Sequence, residues 1–308
     1  MDPETSEALY IGWWAVLGLM VGSFLNVVIA RLPEEGESVA RPARSRCPHC
    51  RTTLRWYENL PVLSWLVLRA RCRTCRAPIS WRYPLVELLT SGLFLWVVSE
   101  RPGDPALVAL QSVVLAGLVV ATFVDFDRYE IPDEVSLGGC ALAPLAALAL
   151  PRLFAADGLA LSLAEGAPVG RFEALAACLA GMALGGGILL AIGWLGKRVY
   201  GADAMGLGDV KLMAAGGGLV GPGAVLYALL LAALLGSVVG VLNMLRLLFE
   251  LRRRVRDRQR ADGWGRSLQV ARIAGRYIPF GPYLAIGIAT VLVRWEADGA
   301  ALLRLLEP

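Results

Sequence analysis

The chain reads as an all-α polytopic membrane protein with about eight transmembrane helices and a small zinc-stapled loop domain on the cytoplasmic side. Of its 308 residues 56% are hydrophobic and only 18% are charged, too little charge for a soluble domain of this length. Four runs (8–30, 106–124, 174–195 and 224–245) contain no formal charge, and each is close to the roughly 20 residues that cross a bilayer. Four of the six cysteines stand as two CxxC pairs inside an arginine-rich segment.

The first run follows an acidic start (Asp2, Glu4, Glu7) and precedes the first arginine, Arg31. A cleaved signal peptide has the reverse charge order, so 1–30 is a transmembrane helix with its N-terminus outside. Segment 31–82 carries eleven arginines against four glutamates, which puts it inside the cell. From 83 onward the chain forms the remaining membrane domain. Further spans are expected at 84–98, 131–150 and 278–293, and a weaker one at 210–220, which is short, glycine-rich and led by Asp209. Pro132 suits the first turn of its helix, and Asp133 and Glu134 suit its N-terminus. Segment 246–276, with ten arginines against three acids, is expected as a second cytoplasmic loop. Eight helices threaded this way place Asp125 and Asp209 at the cytoplasmic ends of their helices. The net charge of +4 then reflects topology and contact with membrane lipids rather than nucleic-acid binding. The arginine run 252–260 reads as a solvated, lipid-facing helix or loop.

Cys47-Pro-His-Cys50 and Cys72-Arg-Thr-Cys75 are separated by 21 residues. Paired knuckles of this kind place four thiolates for a tetrahedral, structural zinc, and a reducing cytoplasm argues against disulfides. The stretch between them is too small for a core of its own. His49, the single histidine, reads as a solvated knuckle residue. Cys140 and Cys178 lie in apolar runs and pack as small hydrophobes.

Carboxylates at membrane depth are costly and mark polar cavities or reaction sites. Asp125 still belongs to an apolar helix, and Asp209 heads another within Gly206-Leu-Gly208-Asp209. Glycines on either side of an acid let another backbone approach it. Two carboxylates that share a proton activate water for attack on a peptide carbonyl. The pair titrates as a unit, so neither is assigned as the base. Asp127, Asp133, Asp203, Gly206, Gly208 and Lys211 are supporting candidates. A Ser–His pair and HExxH are both absent from the sequence. A proton-coupled transporter is the main competing reading, although the chain shows no duplicated half.

The ordered motifs GSFLNVVIARLP (22–33), CPHC, ENLPVLSWL (58–66), CRTC, ISWRYPLVE (79–87), DFDRYEIPD (125–133) and GLGDVK (206–211) resemble those of bacterial type IV prepilin peptidases. A weaker match lies at IPFGPYLAIG (278–287). The resemblance implies a bifunctional enzyme of the bacterial inner membrane. It would remove the leader of prepilins or pilin-like secretion subunits at the cytoplasmic face, then N-methylate the new terminus with S-adenosylmethionine. A peptidase without methyl transfer is the narrower alternative. The family's catalytic aspartates fall on Asp125 and Asp209, and its zinc-type cysteines on Cys47, Cys50, Cys72 and Cys75. No Gly-rich nucleotide fingerprint is present, so the methyl-donor residues stay unassigned. Asn26, Glu58, Asn59, Arg82, Tyr83 and Glu87 are polar or aromatic groups near the membrane mouth. Glu87 stands out, charged at the start of an apolar run, and reads either as part of that mouth or as an ion pair with Arg82 or another loop arginine. Segment 151–173 looks longer than the family's usual connection and reads as a surface insertion.

Overall fold

The apolar runs fold as helices. A computed structural model describes residues 2–34, 39, 44–164, 167–201, 205–258 and 279–306. In chain order the helices are α1 (Pro3–Arg31), a short α2 (Leu63–Val67), α3 (Arg82–Glu100), α4 (Pro105–Arg128), α5 (Asp133–Ala149), a short α6 (Gly158–Leu163), α7 (Arg171–Tyr200), α8 (Leu207–Val220), α9 (Pro222–Arg258) and α10 (Gly281–Leu306). Eight of them are long. Among the described residues, β pairing is limited to two isolated bridges, so the class is all-α. Among the described residues, four stretches are long and apolar enough to cross a membrane: Glu4–Arg31, Pro105–Arg128, Arg171–Val199 and Pro222–Leu247. The outer surface agrees. Leu226, Leu230, Leu234 and Val238 form an exposed stripe along α9, at the i, i+4 spacing of one helix face. Such a stripe suits lipid rather than water.

The structure reverses the sequence ranking of α8. The span that looked weakest is the most enclosed, with Leu212, Met213 and every residue from Ala215 to Val220 buried. Its three consecutive glycines face different neighbours, because successive residues turn about 100° around a helix. A Cβ on Gly216 would strike Ile288 of α10, one on Gly217 would strike the Gly181 carbonyl of α7, and one on Gly218 would strike Met182 of α7 and Ala143 of α5. With no hydrophobic drive between helices in lipid, this close approach is what holds them. Gly18 and Gly22 do the same for α1, whose backbone presses on Ser91 and Glu87 of α3.

Two expectations change. The segment after 246 is not simply a loop, because α9 continues without a break through Arg258. Leucine, arginine and glutamate are good helix formers, and Arg246 pairs with Glu250 one turn on, at 3.1 Å. Residues 259–276 lie outside the described residues. The 151–173 insertion is also more than a surface excursion. Phe154, Asp157 and Ala160 are buried, and Asp157 accepts hydrogen bonds from the amides of Leu159 and Ala160 (3.0 Å each) and of Gly223 (3.2 Å). That one carboxylate caps α6 and ties it to the α8–α9 turn.

Candidate active site

The residues that matter gather at one end of the bundle, where α4 ends and α5, α8 and α10 begin. Helix α4 stops at Tyr129, which takes the left-handed conformation (φ 58°) and donates its N–H to the Asp125 carbonyl. The chain then crosses to Pro132, which caps α5. Asp125 is thereby held in the last turn of α4, 5% exposed. Its Oδ2 accepts the Gly281 amide at 2.9 Å, so the carboxylate lies against the N-terminus of α10, where a helix favours negative charge. Asp209 sits in the first turn of α8, three residues after Gly206, the N-cap of that helix. Each aspartate therefore lies at the start of a helix, Asp125 against α10 and Asp209 within α8.

Both carboxylates line one cavity of about 460 Å³. Leu32 and Pro33 from the end of α1 close one side, and Tyr129 to Glu134 and Gly206 to Asp209 form the rest of the lining. Two glycines allow close packing here, Gly281 more tightly than Gly208. A Cβ on Gly208 would come within 3.1 Å of Ile131, and one on Gly281 would come within 2.6 Å of the Asp125 carboxylate.

Gly206, Gly208 and Asp133 line the cavity with the two aspartates. Lys211 stands beside it, paired with Asp133 at 2.7 Å. Asp127 does not join them. It points to the outside and is gripped by Arg82 through both carboxylate oxygens, at 2.9 and 2.7 Å. Asp203 lies outside the described residues. Among the described residues Glu87 has no arginine partner. It is buried, and it accepts the Val62 amide at 2.7 Å, fixing a strained turn in which Val62 has φ 60° and Leu63 N–H reaches back to Pro61 O at 2.5 Å. A β-branched residue at positive φ is costly, and a buried carboxylate on its amide is what holds it. Sequence reading did not single out Gly281 or Ile131, although each lies inside a quoted motif, IPFGPYLAIG (278–287) and DFDRYEIPD (125–133).

The cysteine loop forms a separate unit. The two knuckles are built alike: Cys47 N–H bonds Thr52 O and Cys72 N–H bonds Ala77 O, with Arg51 and Arg76 at positive φ just after each second cysteine. All four Sγ atoms lie within 4.8 Å of one another. The Cys47–Cys75 and Cys50–Cys72 separations are 3.8 and 3.9 Å, and a zinc–sulfur bond of about 2.3 Å gives tetrahedron edges of about 3.8 Å. The donor set fits such an ion. His49 stands outside the group, exposed. Burial pushes the Glu58 carboxyl up, but the Arg55 amide and the Arg73 guanidinium, both at 2.7 Å, outweigh it and hold the group below the usual carboxylate range. That ion pair ties the second knuckle to the linking segment.

Comparison with known proteins agrees with this arrangement. Residues 16–100 match the bacterial peptidase A24 N-terminal domain, and residues 112–241 match the type IV leader peptidase family. A prepilin leader peptidase/N-methyltransferase of Myxococcus xanthus is 43% identical over 230 residues, 75% of this chain and 62% of that protein. Proteins of the same name from Aeromonas hydrophila and Stutzerimonas stutzeri are each 36% identical, covering 90% and 88% of this chain and 88% and 86% of their own lengths. No solved structure matches the chain. With both halves of the bundle matched in order, and the two aspartates and the cysteine loop falling inside the matched segments, this chain belongs to the type IV leader peptidase family.

Proposed function

We propose that this chain removes the N-terminal leader from prepilins or pilin-like subunits, with Asp125 and Asp209 as the catalytic pair, and N-methylates the shortened product. The observation that carries the reading is the shared cavity: two carboxylates from helices 84 residues apart in sequence open onto the same space. A water held between them loses a proton to one carboxylate as its oxygen attacks the scissile carbonyl. The protonated partner donates to the developing oxyanion, and the proton first taken up passes to the departing amine. The Gly281 amide orients Asp125 for this, leaving its other oxygen available to the water.

The arginine balance of the loops supports a cytoplasmic orientation of this face, in the bacterial inner membrane. Glu130, Asp133 and Glu134 on the cavity rim suit a basic leader. The four cysteines would hold a structural zinc that staples residues 31–82. The methyl donor is S-adenosylmethionine, by analogy with the relatives' name. Four of the candidate groups for it are engaged within the protein: Asn26 with the Tyr83 carbonyl, Glu58 with Arg73, Arg82 with Asp127, and Glu87 with Val62. No step is therefore routed through particular residues.

The test is Asp125→Asn and Asp209→Asn, assayed separately on a leader-bearing peptide in detergent. Each is expected to lower cleavage by about 10³-fold or more, with one zinc per chain retained by elemental analysis. Substantial turnover by either variant, or a wild-type preparation without metal, would refute the corresponding half of the reading.

A further inference from the structure

A second cavity, of about 390 Å³, runs on from the first. Glu134 lines both. Beyond it the walls are apolar, formed by α4 (Val113, Gly117), α5 (Val135, Gly138, Leu142) and α8 (Leu212). From Glu134 to Leu142 it follows α5 for about 12 Å, at 1.5 Å per residue. The glycines of this groove differ in kind. Gly139 and Gly216 are packed against Ala215 and Ile288, but a Cβ on Gly138 would meet nothing within 4 Å. Packing between the protein's own helices therefore does not explain glycine at 138, and the space above it is open.

Resting on the proposed function, we propose that this groove holds the apolar helix of the substrate polypeptide on the C-terminal side of the cleaved bond, with Gly138 as its floor. Continuity with the catalytic cavity is the first reason. A polypeptide lying across the two aspartates must leave the cavity at both ends, and the acidic rim and the apolar groove offer opposite chemistries. The second is the apolar lining of the groove along α4, a helix long and apolar enough to cross the membrane. A chain lying there has no water for its backbone, so it must be helical, with apolar side chains. The third is the proposed function on which this inference rests. There the shortened product of the cut is the substrate of the methylation, so the site gains by gripping the C-terminal portion between the two steps.

Gly138→Leu would project into the groove from a position whose Cβ meets nothing within 4 Å. The probes are two synthetic peptides with the same leader, one carrying an apolar helix of about 20 residues after the cut and one ending just beyond it. The wild-type enzyme should prefer the long peptide, and Gly138→Leu should reduce the long-to-short ratio of kcat/KM by about tenfold, the size of losing one well-packed contact, mainly through KM. An unchanged ratio, or an equal fall for both peptides, would overturn the proposal. A benzophenone side chain placed at position 138 in an Asp209→Asn background supplies a second readout. Adducts with the apolar segment of the long peptide support the assignment. Adducts only with lipid, or only with a second copy of this chain, overturn it. Failure of the catalytic reading would look different, because the two aspartate variants would then cut the short peptide as the wild type does.

Discussion

Asp125 and Asp157 are both aspartates buried to 5% exposure or less, both beside a helix N-terminus, at opposite ends of the same bundle. Their surroundings differ in one respect. Asp157 accepts three backbone amides and is closed in by the α8–α9 turn, where a Cβ on Gly221 would come within 2.5 Å of its Oδ2. Asp125 accepts one amide and opens onto a cavity of about 460 Å³ that it shares with a second carboxylate. A carboxylate with both oxygens engaged by backbone amides in an enclosed turn holds structure. One with acceptor capacity left over, facing a space that admits water, is available for chemistry.

The largest effect short of removing a catalytic carboxylate is expected from Gly281→Ala. Its Cβ would stand 2.6 Å from Asp125 Oδ2 and 3.2 Å from Cγ, so the carboxylate must turn away and give up the amide. A misplacement of about 1 Å costs on the order of 10²-fold in rate. Peptide cleavage should fall by that factor while the thermal midpoint in detergent barely moves. Full activity would show that the α10 amide does not orient Asp125.

Asp157→Ala should do the opposite. It strands three amides in an enclosed turn, and a lost cap or an unsatisfied buried donor costs about 1–3 kcal/mol. The expected result is a clear fall in the detergent denaturation midpoint, with cleavage per folded molecule within about twofold of wild type. A lost kcat at unchanged stability would break the comparison, by making Asp157 part of the chemistry.

Of these two acids, only Asp125 stood out in the sequence. It follows directly on an uncharged run, and that conflict with membrane depth is visible without coordinates. Asp157 sits in a mixed segment where an acid is unremarkable, and its partners include Gly223, 66 residues away. Gly281 was hidden for the same reason, 156 residues from the carboxylate it holds. The cysteine knuckles were legible because their geometry is local: two CxxC turns impose it within a few residues each. Helix α8 was undervalued because it is short, glycine-rich and led by an acid, whereas in the bundle glycine is what permits its close packing. Glu87 looked like half of an ion pair, but the strained backbone at Val62 that it holds has no sequence signature.

The smallest effect belongs to a third acid, Asp127, two residues beyond Asp125 and a candidate by proximity in sequence alone. Two residues turn a helix by about 200°, so Asp127 leaves the cavity side and meets Arg82. That pair is partly exposed, its side chains 31% and 42% accessible, and pairs of this kind contribute about 0–1 kcal/mol. Arg82 also lies over the Phe123 ring, 5.0 Å from its centroid, and so keeps a contact when the carboxylate is neutralised. Asp127→Asn should therefore leave the denaturation midpoint nearly unchanged and cleavage within about twofold. A fall in kcat beyond about tenfold would mean that the Arg82 pair opens during turnover and Asp127 reaches the cavity, and acceptor capacity in the resting structure would then no longer separate the catalytic acids from the structural ones.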